Sequence, residues 1–149
     1  MGTDKEDKLG GKAGDDEIRG LGAEDDIAGG VGNDVIHAGP GDDVFLWDGK
    51  GDDITYGGDG DDEFIDDKGD DVLYGGDGDD FFYPNTSGKD VLYGGDGDDF
   101  IDVSKDGQPD KFYCGKGKDR YGLEENTPMD KKDYVDSSCE KKVKIKVVY

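Results

Sequence analysis

The sequence has few of the residues that build an ordinary hydrophobic core or an enzyme active site. Only 31% of its 149 residues are hydrophobic, and it contains one histidine, one tryptophan and two cysteines. Neither G-x-S-x-G nor H-E-x-x-H occurs, and no nucleophile–base pairing is suggested. We therefore expect no enzyme activity within the chain. No apolar run approaches the roughly 18 residues that span a bilayer, so we expect no membrane insertion.

Positive charge is also scarce. The chain has 18 Lys and Arg against 40 Asp and Glu, for a formal net charge of −22. Such an acidic surface repels nucleic acid and anionic membranes, so neither is an expected partner, and it attracts cations. Low hydrophobicity with high net charge usually indicates disorder. Here, however, both the charge and the few apolar residues are periodic, and the acidity is concentrated in residues 1–119.

Aspartate recurs on one register through most of the chain, in steps of nine residues with a few longer steps. The best-formed units are GGVGNDVIH (29–37), GGDGDDEFI (57–65), GGDGDDFFY (75–83) and GGDGDDFID (94–102). A strict short period indicates one small structural unit stacked on itself. The aspartates on the register are Asp7, Asp16, Asp25, Asp34, Asp43, Asp53, Asp62, Asp71, Asp80, Asp90, Asp99, Asp110 and Asp119.

Each unit divides into a loop and a strand when its residues are numbered one to nine with the recurring aspartate at position 6. Positions 7 to 9 predict a short strand whose middle side chain, at position 8, points inward. Positions 1 to 6 are rich in glycine and aspartate, which predicts a turn. Position 8 is apolar or aromatic except at Thr55; the residues there are Leu9, Ile18, Ile27, Ile36, Phe45, Thr55, Phe64, Leu73, Phe82, Leu92, Ile101, Phe112 and Tyr121.

The quality of the loops alternates along the chain. GGDGDD recurs at 57, 75 and 94, whereas the loops between them, 66–71 and 85–90, are less regular. This alternation predicts that two units make one turn of a coil. The expected fold is therefore all-β: two short parallel sheets that face each other through the position-8 side chains, with loops along both edges.

Stacking would place the position-6 carboxylates one strand spacing apart along each edge. Like charges at that distance oppose folding, and a divalent cation between successive loops removes the repulsion. Carboxylate and carbonyl oxygens are the ligands that Ca²⁺ prefers, whereas Mg²⁺ demands tighter octahedral geometry and zinc favours His or Cys. We therefore predict several bound Ca²⁺ ions, at most about eleven if every gap between stacked loops is filled.

The pattern GGxGxDx(apolar)x over residues 2–122 resembles the RTX (repeats-in-toxin) nonapeptide repeat of haemolysin-type calcium-binding proteins. The resemblance implies a right-handed parallel β-roll that folds when calcium binds, in a secreted bacterial protein. No signal-peptide pattern precedes the repeats, because Met1-Gly2-Thr3 leads straight into them. We expect the signal to be absent from this chain, and an intracellular protein stays open as the alternative.

The resemblance also implies a ligand set. One loop provides the carbonyls of positions 2 and 4 and its position-6 carboxylate. The loop one turn later provides the carbonyls of positions 1 and 3 and its own carboxylate. The candidate metal ligands are Asp16, Gly29, Gly30, Gly32, Asp34, Gly39, Gly41, Asp43, Asp48, Gly49, Gly51, Asp53, Gly57, Gly58, Asp59, Gly60, Asp62, Asp66, Gly69, Asp71, Gly75, Gly76, Asp77, Gly78, Asp80, Gly88, Asp90, Gly94, Gly95, Asp96, Gly97, Asp99 and Asp119.

Both ends of the array depart from the pattern. The loops GTDKED (2–7) and GLGAED (20–25) lack glycine at position 4, and the eleven-residue step with Gln108-Pro109 disturbs the last even-numbered loop. We expect weak or empty sites near the irregular loops.

Residues 123–149 leave the register, so we predict a repeat domain at 2–122 and a C-terminal cap at 123–149. The alternation of Lys with Val and Ile over 142–149 predicts an amphipathic strand that covers the apolar end of the coil. The alternative is a strand for self-association; otherwise we expect a monomer. In a secreted protein, Cys114 of the last unit and Cys139 of the tail favour a disulfide, with two free thiols as the alternative.

The function predicted from the sequence is that of an extracellular structural or binding module whose folding is coupled to Ca²⁺. Two alternatives stay open. The chain could be the C-terminal calcium-binding domain of a larger secreted enzyme or toxin, or it could be a self-assembling surface protein.

Overall fold

The structure is a computed structural model that describes residues 1–102, 107–124 and 133–145. These ranges contain fifteen β-strands and no helix, and so no helix there could cross a membrane. The strands are β1 Lys8–Gly10, β2 Glu17–Arg19, β3 Asp26–Val31, β4 Val35–Pro40, β5 Val44–Lys50, β6 Ile54–Asp59, β7 Glu63–Lys68, β8 Val72–Asp77, β9 Phe81–Ser87, β10 Val91–Asp96, β11 Phe100–Asp102, β12 Lys111–Lys116, β13 Arg120–Glu124, β14 Tyr134–Val135 and β15 Lys141–Ile145.

The strands form two parallel sheets, and successive strands along the chain alternate between them. Odd-numbered strands make an eight-stranded sheet in the order β1-β3-β5-β7-β9-β11-β13-β15, and even-numbered strands make a seven-stranded sheet from β2 to β14. Each strand therefore pairs with the strand one full turn away, and each turn contains two units. This confirms the predicted all-β fold, a parallel β-roll with two nonapeptide repeats per turn.

Most strands are longer than the three residues predicted. β6 and β8 each contain six residues, and they pair in register from Ile54 opposite Val72 to Asp59 opposite Asp77. The strands thus include positions 1 to 3 of the following unit as well as positions 7 to 9. The prediction of a six-residue loop was wrong because ladder hydrogen bonds require only backbone, and glycine backbone extends and pairs when an identical unit lies beside it.

The core is a single file of position-8 side chains on each sheet. Ile27, Phe64 and Phe82 are fully buried there, and Phe64 and Phe82 stack with ring centroids 4.6 Å apart. In the fifth unit, the backbone pairing places Leu46 at this position, one residue beyond the predicted one. The pairing of β3 with β5 shifts between Val44 and Trp47, and Leu46 is the buried residue, opposite Phe64 of β7. A bulge thus absorbs the extra residue of the ten-residue step.

The outer face of the seven-stranded sheet carries an aromatic ladder at position 9. His37, Tyr56, Tyr74, Tyr93 and Tyr113 stack on one another with ring centroids 4.8–5.0 Å apart and nearly parallel planes. Stacked aromatic pairs of this kind contribute about 0.5–1.5 kcal/mol each beyond their buried area. The ladder therefore reinforces the same turn-to-turn register as the core.

The C-terminal segment continues both sheets. β14 pairs with β12 and β15 pairs with β13, and Cys114 forms a disulfide with Cys139, with Cα atoms 5.0 Å apart. Residues 142–145 of the predicted tail strand lie in β15, and 146–149 lie outside the described residues. The division into a repeat domain at 2–122 and a cap at 123–149 stays a prediction.

Candidate metal centre

The position-6 aspartates form a buried column along each edge of the roll. Between Asp25 and Asp119, every aspartate of the register is at most 6% exposed, whereas Asp7 and Asp16 in the first turn are partly exposed. Each follows directly on a loop that turns the chain from one sheet to the other. The repeat thus places one buried carboxylate in every unit of this stretch, at the end of that unit's loop.

Each column is held by hydrogen bonds between successive turns. On one edge, the Asp62 N–H donates to Oδ1 of Asp80 over 2.9 Å, and the Asp80 N–H donates to Oδ1 of Asp99 over 3.0 Å. On the other edge, the Asp34 N–H donates to Oδ1 of Asp53 over 2.6 Å. These bonds orient each carboxylate and occupy one of its two oxygens.

In nine of these aspartates the second carboxylate oxygen is buried and has no hydrogen-bond partner among the described residues. A buried acceptor without a partner destabilises the fold by the full free energy of removing the group from water. This free energy is larger when the group is charged. A hard cation is the partner that such oxygens fit. The Oδ2 atoms concerned in the register belong to Asp25, Asp34, Asp43, Asp53, Asp62, Asp71, Asp80, Asp99 and Asp119.

Glycine at positions 1, 2 and 4 keeps the space between stacked loops free of side chains. A Cβ on Gly76, at position 2, would overlap the carbonyl oxygen of Gly58 one turn earlier, and Gly76 has φ 130°. A Cβ on Gly57, at position 1, would overlap Oδ2 of Asp62 and lie 2.8 Å from the Gly75 carbonyl oxygen. Backbone carbonyls and carboxylates therefore converge there, as the donor set for a calcium ion requires.

The structure brings together the loop pairs that the sequence predicts. β6 places Gly58 and Asp59 beside Gly76 and Asp77 of β8. In the next turn, Gly76 and Asp77 lie beside Gly95 and Asp96 of β10. On the opposite edge, Gly30 of β3 pairs with Gly49 of β5, and Val31 pairs with Lys50. The fit to calcium is thus repeated along both edges.

Positive backbone φ angles persist where the first loops lack glycine. Leu21 and Ala23, at positions 2 and 4 of the unit 20–28, have φ of 95° and 69°. Side chains other than glycine are strained in this region. The irregular loop therefore keeps the shape of the consensus loop at a cost in backbone strain.

Burial dominates the electrostatics of the columns. Together with the smaller effect of the neighbouring aspartates, it raises the pKa of Asp43, Asp53, Asp62 and Asp99 to about 7 and that of Asp80 to about 8. The backbone hydrogen bond that each carboxylate accepts acts in the opposite direction. Ionising these side chains at neutral pH therefore requires a compensating positive charge.

Position 5 forms a second, exposed column that the sequence analysis missed. The N–H of Asp79 donates to Oδ1 of Asp61 over 2.8 Å, and the N–H of Asp98 donates to Oδ1 of Asp79 over 2.7 Å. These bonds run from a loop to the preceding turn, opposite in direction to those of position 6. The signal was present, since most units have Asp or Asn at position 5.

Asp48 and Asp66 have a feature that the sequence analysis did not foresee. Both stand at position 1, where most of the regular units have glycine. The sequence analysis assigned them only backbone carbonyls as ligands. The structure buries both side chains completely and brings an oxygen of each within 4.8 Å of an oxygen of Asp71.

Buried aspartate columns between glycine loops define a calcium-binding β-roll as the class of this structure. The family model for the RTX calcium-binding nonapeptide repeat matches residues 1–36, 10–45, 21–54, 32–64, 56–85 and 86–105. The chain therefore belongs to the RTX calcium-binding repeat family, whose β-roll is a structural calcium-binding fold. No curated protein matches the sequence.

Proposed function

We propose that this chain is an extracellular calcium-binding module whose folding is coupled to Ca²⁺ bound between its stacked loops. The observation that supports this most is the set of nine buried position-6 aspartates whose Oδ2 has no hydrogen-bond partner among the described residues. Burying so many carboxylates without countercharge is costly. Cations that bind only the folded roll would offset this cost and stabilise it by mass action.

The ligands we propose for one site are the carbonyls of Gly58 and Gly60 with the carboxylate of Asp62. The carbonyls of Gly75 and Asp77 and the carboxylate of Asp80 complete it from the next turn. The in-register pairing of β6 with β8 supports this assignment, as does the way position-2 and position-4 carbonyls face the following loop. The same pattern repeated along both edges gives at most about eleven ions, with weaker sites in the first loops.

Secretion explains how such a module would be used. Calcium sites of extracellular modules typically bind at about 10⁻⁴ to 10⁻³ M, which is well above the concentration in the cytosol. The chain would therefore stay unfolded before export and fold outside the cell. Its role is binding and structural rather than catalytic, whether it acts alone or as the C-terminal domain of a larger secreted enzyme or toxin.

Far-UV circular dichroism during a calcium titration of the chelator-treated chain tests the coupling, with magnesium as the matched control. We expect a transition from coil to β-structure at submillimolar to millimolar Ca²⁺ and none with Mg²⁺. A chain that is already rich in β-structure in excess chelator would contradict the coupling. Sedimentation with and without calcium would show whether the folded chain is a monomer or self-assembles.

A further inference from the structure

The interior of the roll contains a group of oxygen side chains that the consensus repeat does not have. Asp48 lies in β5 and Asp66 in the neighbouring β7, each directly after a paired position, Trp47 opposite Ile65. Asp71 is the position-6 aspartate of the unit that Asp66 begins. One oxygen from each of the three carboxylates lies within 4.8 Å of the others. We call these three residues the luminal cluster.

Backbone N–H groups donate hydrogen bonds to one oxygen of Asp48 and one oxygen of Asp71, and to neither oxygen of Asp66 in the described part of the chain. Oδ1 of Asp48 accepts from the backbone N–H of Gly49 over 2.8 Å and of Asp67 over 3.3 Å. Oδ1 of Asp71 accepts from the Asp53 N–H over 2.7 Å. The remaining oxygens, Oδ2 of Asp48 and Asp71 and both oxygens of Asp66, are buried and accept no hydrogen bond in the described part of the chain.

Thr55 carries a fifth buried oxygen without a hydrogen-bond partner in this part of the roll. It is the one polar side chain at position 8, it is 0% exposed, and its Oγ1 has no partner among the residues described. Position 8 faces position 1 of the same unit: in 57–65, a Cβ at Gly57 would lie 2.9 Å from Cζ of Phe64. Thr55 occupies position 8 of the unit that begins at Asp48, so the same geometry places its side chain on the side of Asp48.

The residues at positions 1 and 8 change together in this part of the roll. Glycine at position 1 accompanies phenylalanine at position 8 in the units 57–65 and 75–83, whereas aspartate accompanies Thr55 or Leu73 in 48–56 and 66–74. The smaller or polar residue leaves room for the aspartate side chain inside the roll. None of the ion pairs within the described ranges reaches these carboxylates.

We propose that Asp48, Asp66 and Asp71, with the Thr55 hydroxyl, bind an additional hard divalent cation of the calcium class inside the roll. Three carboxylates and a hydroxyl form an oxygen-only donor set, which suits Ca²⁺. This ion would be bound by side chains on the inner side of the loops. It would share Asp71 with a loop site but take no backbone carbonyl, which separates it from the ions held between loops by position-2 and position-4 carbonyls.

Counting bound ions by native mass spectrometry of the full chain in calcium tests this site. We expect Asp66→Asn, which keeps the size of the side chain, to hold one Ca²⁺ fewer than the unsubstituted chain. Asp66→Gly restores the consensus residue at position 1 and should also lose one ion. Because position 1 contributes only its backbone carbonyl to the loop site, and glycine keeps that carbonyl, the loss cannot come from a missing loop ligand. Asp26→Asn is the charge control, because its carboxylate is partly exposed on the outer face of β3.

The alternative is that Asp66 is protonated and donates a hydrogen bond to Asp71, with no cation. In that case Asp66→Asn would preserve the hydrogen bond and leave the ion count unchanged, and this result would overturn the proposal. Thr55→Val should weaken retention of the same ion during calcium dilution. If Thr55→Val and Asp26→Asn had equal effects on retention of the ion, the Thr55 hydroxyl would not be one of its ligands.

The inference depends on the proposed function only for the choice of cation, and the two can fail separately. A chain that folds on calcium addition but shows equal ion counts for Asp66→Asn and the unsubstituted protein would refute the luminal site alone. A chain that is folded in chelator would refute the folding coupling, and the ion counts would still test the site.

Discussion

The backbone N–H of Asp62 donates a 2.9 Å hydrogen bond to Oδ1 of Asp80, the aspartate one turn further along the roll. Asp80 therefore has two roles. One oxygen fixes the register between turns, and the other, buried and without a partner among the described residues, is available to a cation. The same arrangement recurs along both edges, so we expect the residue that repeats most strictly to serve both folding and cation binding.

The two roles of Asp80 can be separated by substitution. Asp80→Asn keeps an oxygen that accepts from Asp62 but removes the charge, so we expect calcium-induced folding to require several-fold more calcium. Asp80→Ala removes both the acceptor oxygen and the charge, so its folding should require still more calcium. Asp77→Asn is the matched control, since it removes an equal charge from an exposed side chain whose proposed contribution is its carbonyl. Calcium titrations followed by circular dichroism give the midpoints, and equal midpoints for Asp80→Asn and Asp77→Asn would contradict the assignment.

Low pH should favour the metal-free roll. Burial raises the pKa of Asp43, Asp53, Asp62 and Asp99 to about 7 and that of Asp80 to about 8, above the ordinary 3.8 expected in the unfolded chain. The folded chain therefore binds more protons than the unfolded chain between these values. The free energy of unfolding is highest at and below about pH 4 and falls as the pH rises towards about 8.

The pH dependence is measured by circular dichroism in excess chelator. We expect β-structure to increase as the pH falls from about 8 towards 4, because protons then replace cations in neutralising the columns. With calcium present the trend should reverse, since protons compete for the same oxygens. A metal-free chain whose β-content rose with pH would contradict the buried carboxylates as the cause.

Ala23→Gly should stabilise the calcium-loaded roll by about 1 kcal/mol. Ala23 has φ 69° at position 4, and a left-handed conformation costs a residue with a Cβ about 1–2 kcal/mol, partly offset by the greater freedom of glycine when unfolded. Urea denaturation in saturating calcium measures the change. Ala13→Gly is the control; it stands at position 3, is not among the residues with positive φ, and should destabilise the protein slightly. Equal effects of both substitutions would be inconsistent with strain at Ala23.

The disulfide between Cys114 and Cys139 should hold the C-terminal strands on the last turn. The two residues are 25 apart in sequence, and a closed loop of that length stabilises a protein by about 3.5 kcal/mol in the chain-entropy model. We expect the double substitution Cys114→Ala/Cys139→Ala to lose about that amount in urea denaturation. The reduced, unsubstituted chain keeps both side chains, and an equal loss there would assign the effect to the bond rather than to packing of the buried Cys114.

The columns of aspartate show why so much of this fold could be predicted. A nine-residue period with Asp at position 6 and an apolar residue at position 8 permits few arrangements, because every unit must bury the same face against a copy of itself. The alternation between regular loops such as 57–62 and irregular ones such as 66–71 was enough to indicate two units per turn. Asp62 and Asp80 could be paired from the spacing alone.

Other features depended on the packed structure. A bulge, which no local pattern encodes, shifts the backbone pairing of β5 and brings Leu46 into the core. The strands lengthened because neighbouring backbones supplied hydrogen-bond partners for loop residues. The positions of Asp48, Asp66 and Thr55 were visible in the sequence as departures from the repeat. Only stacking one turn on the next brought the carboxylates of Asp48 and Asp66 within 4.8 Å of each other and of Asp71.

The sequence by itself determined the repeating unit, the number of units per turn and the ligand chemistry, because these follow from period and residue type. The tertiary structure decided which oxygen of each carboxylate is occupied by a hydrogen bond and which is left for a cation. It also decided where aspartates from different turns converge. Those outcomes depend on distances between residues about eighteen positions apart, which are set by the pairing of strands in the stacked turns.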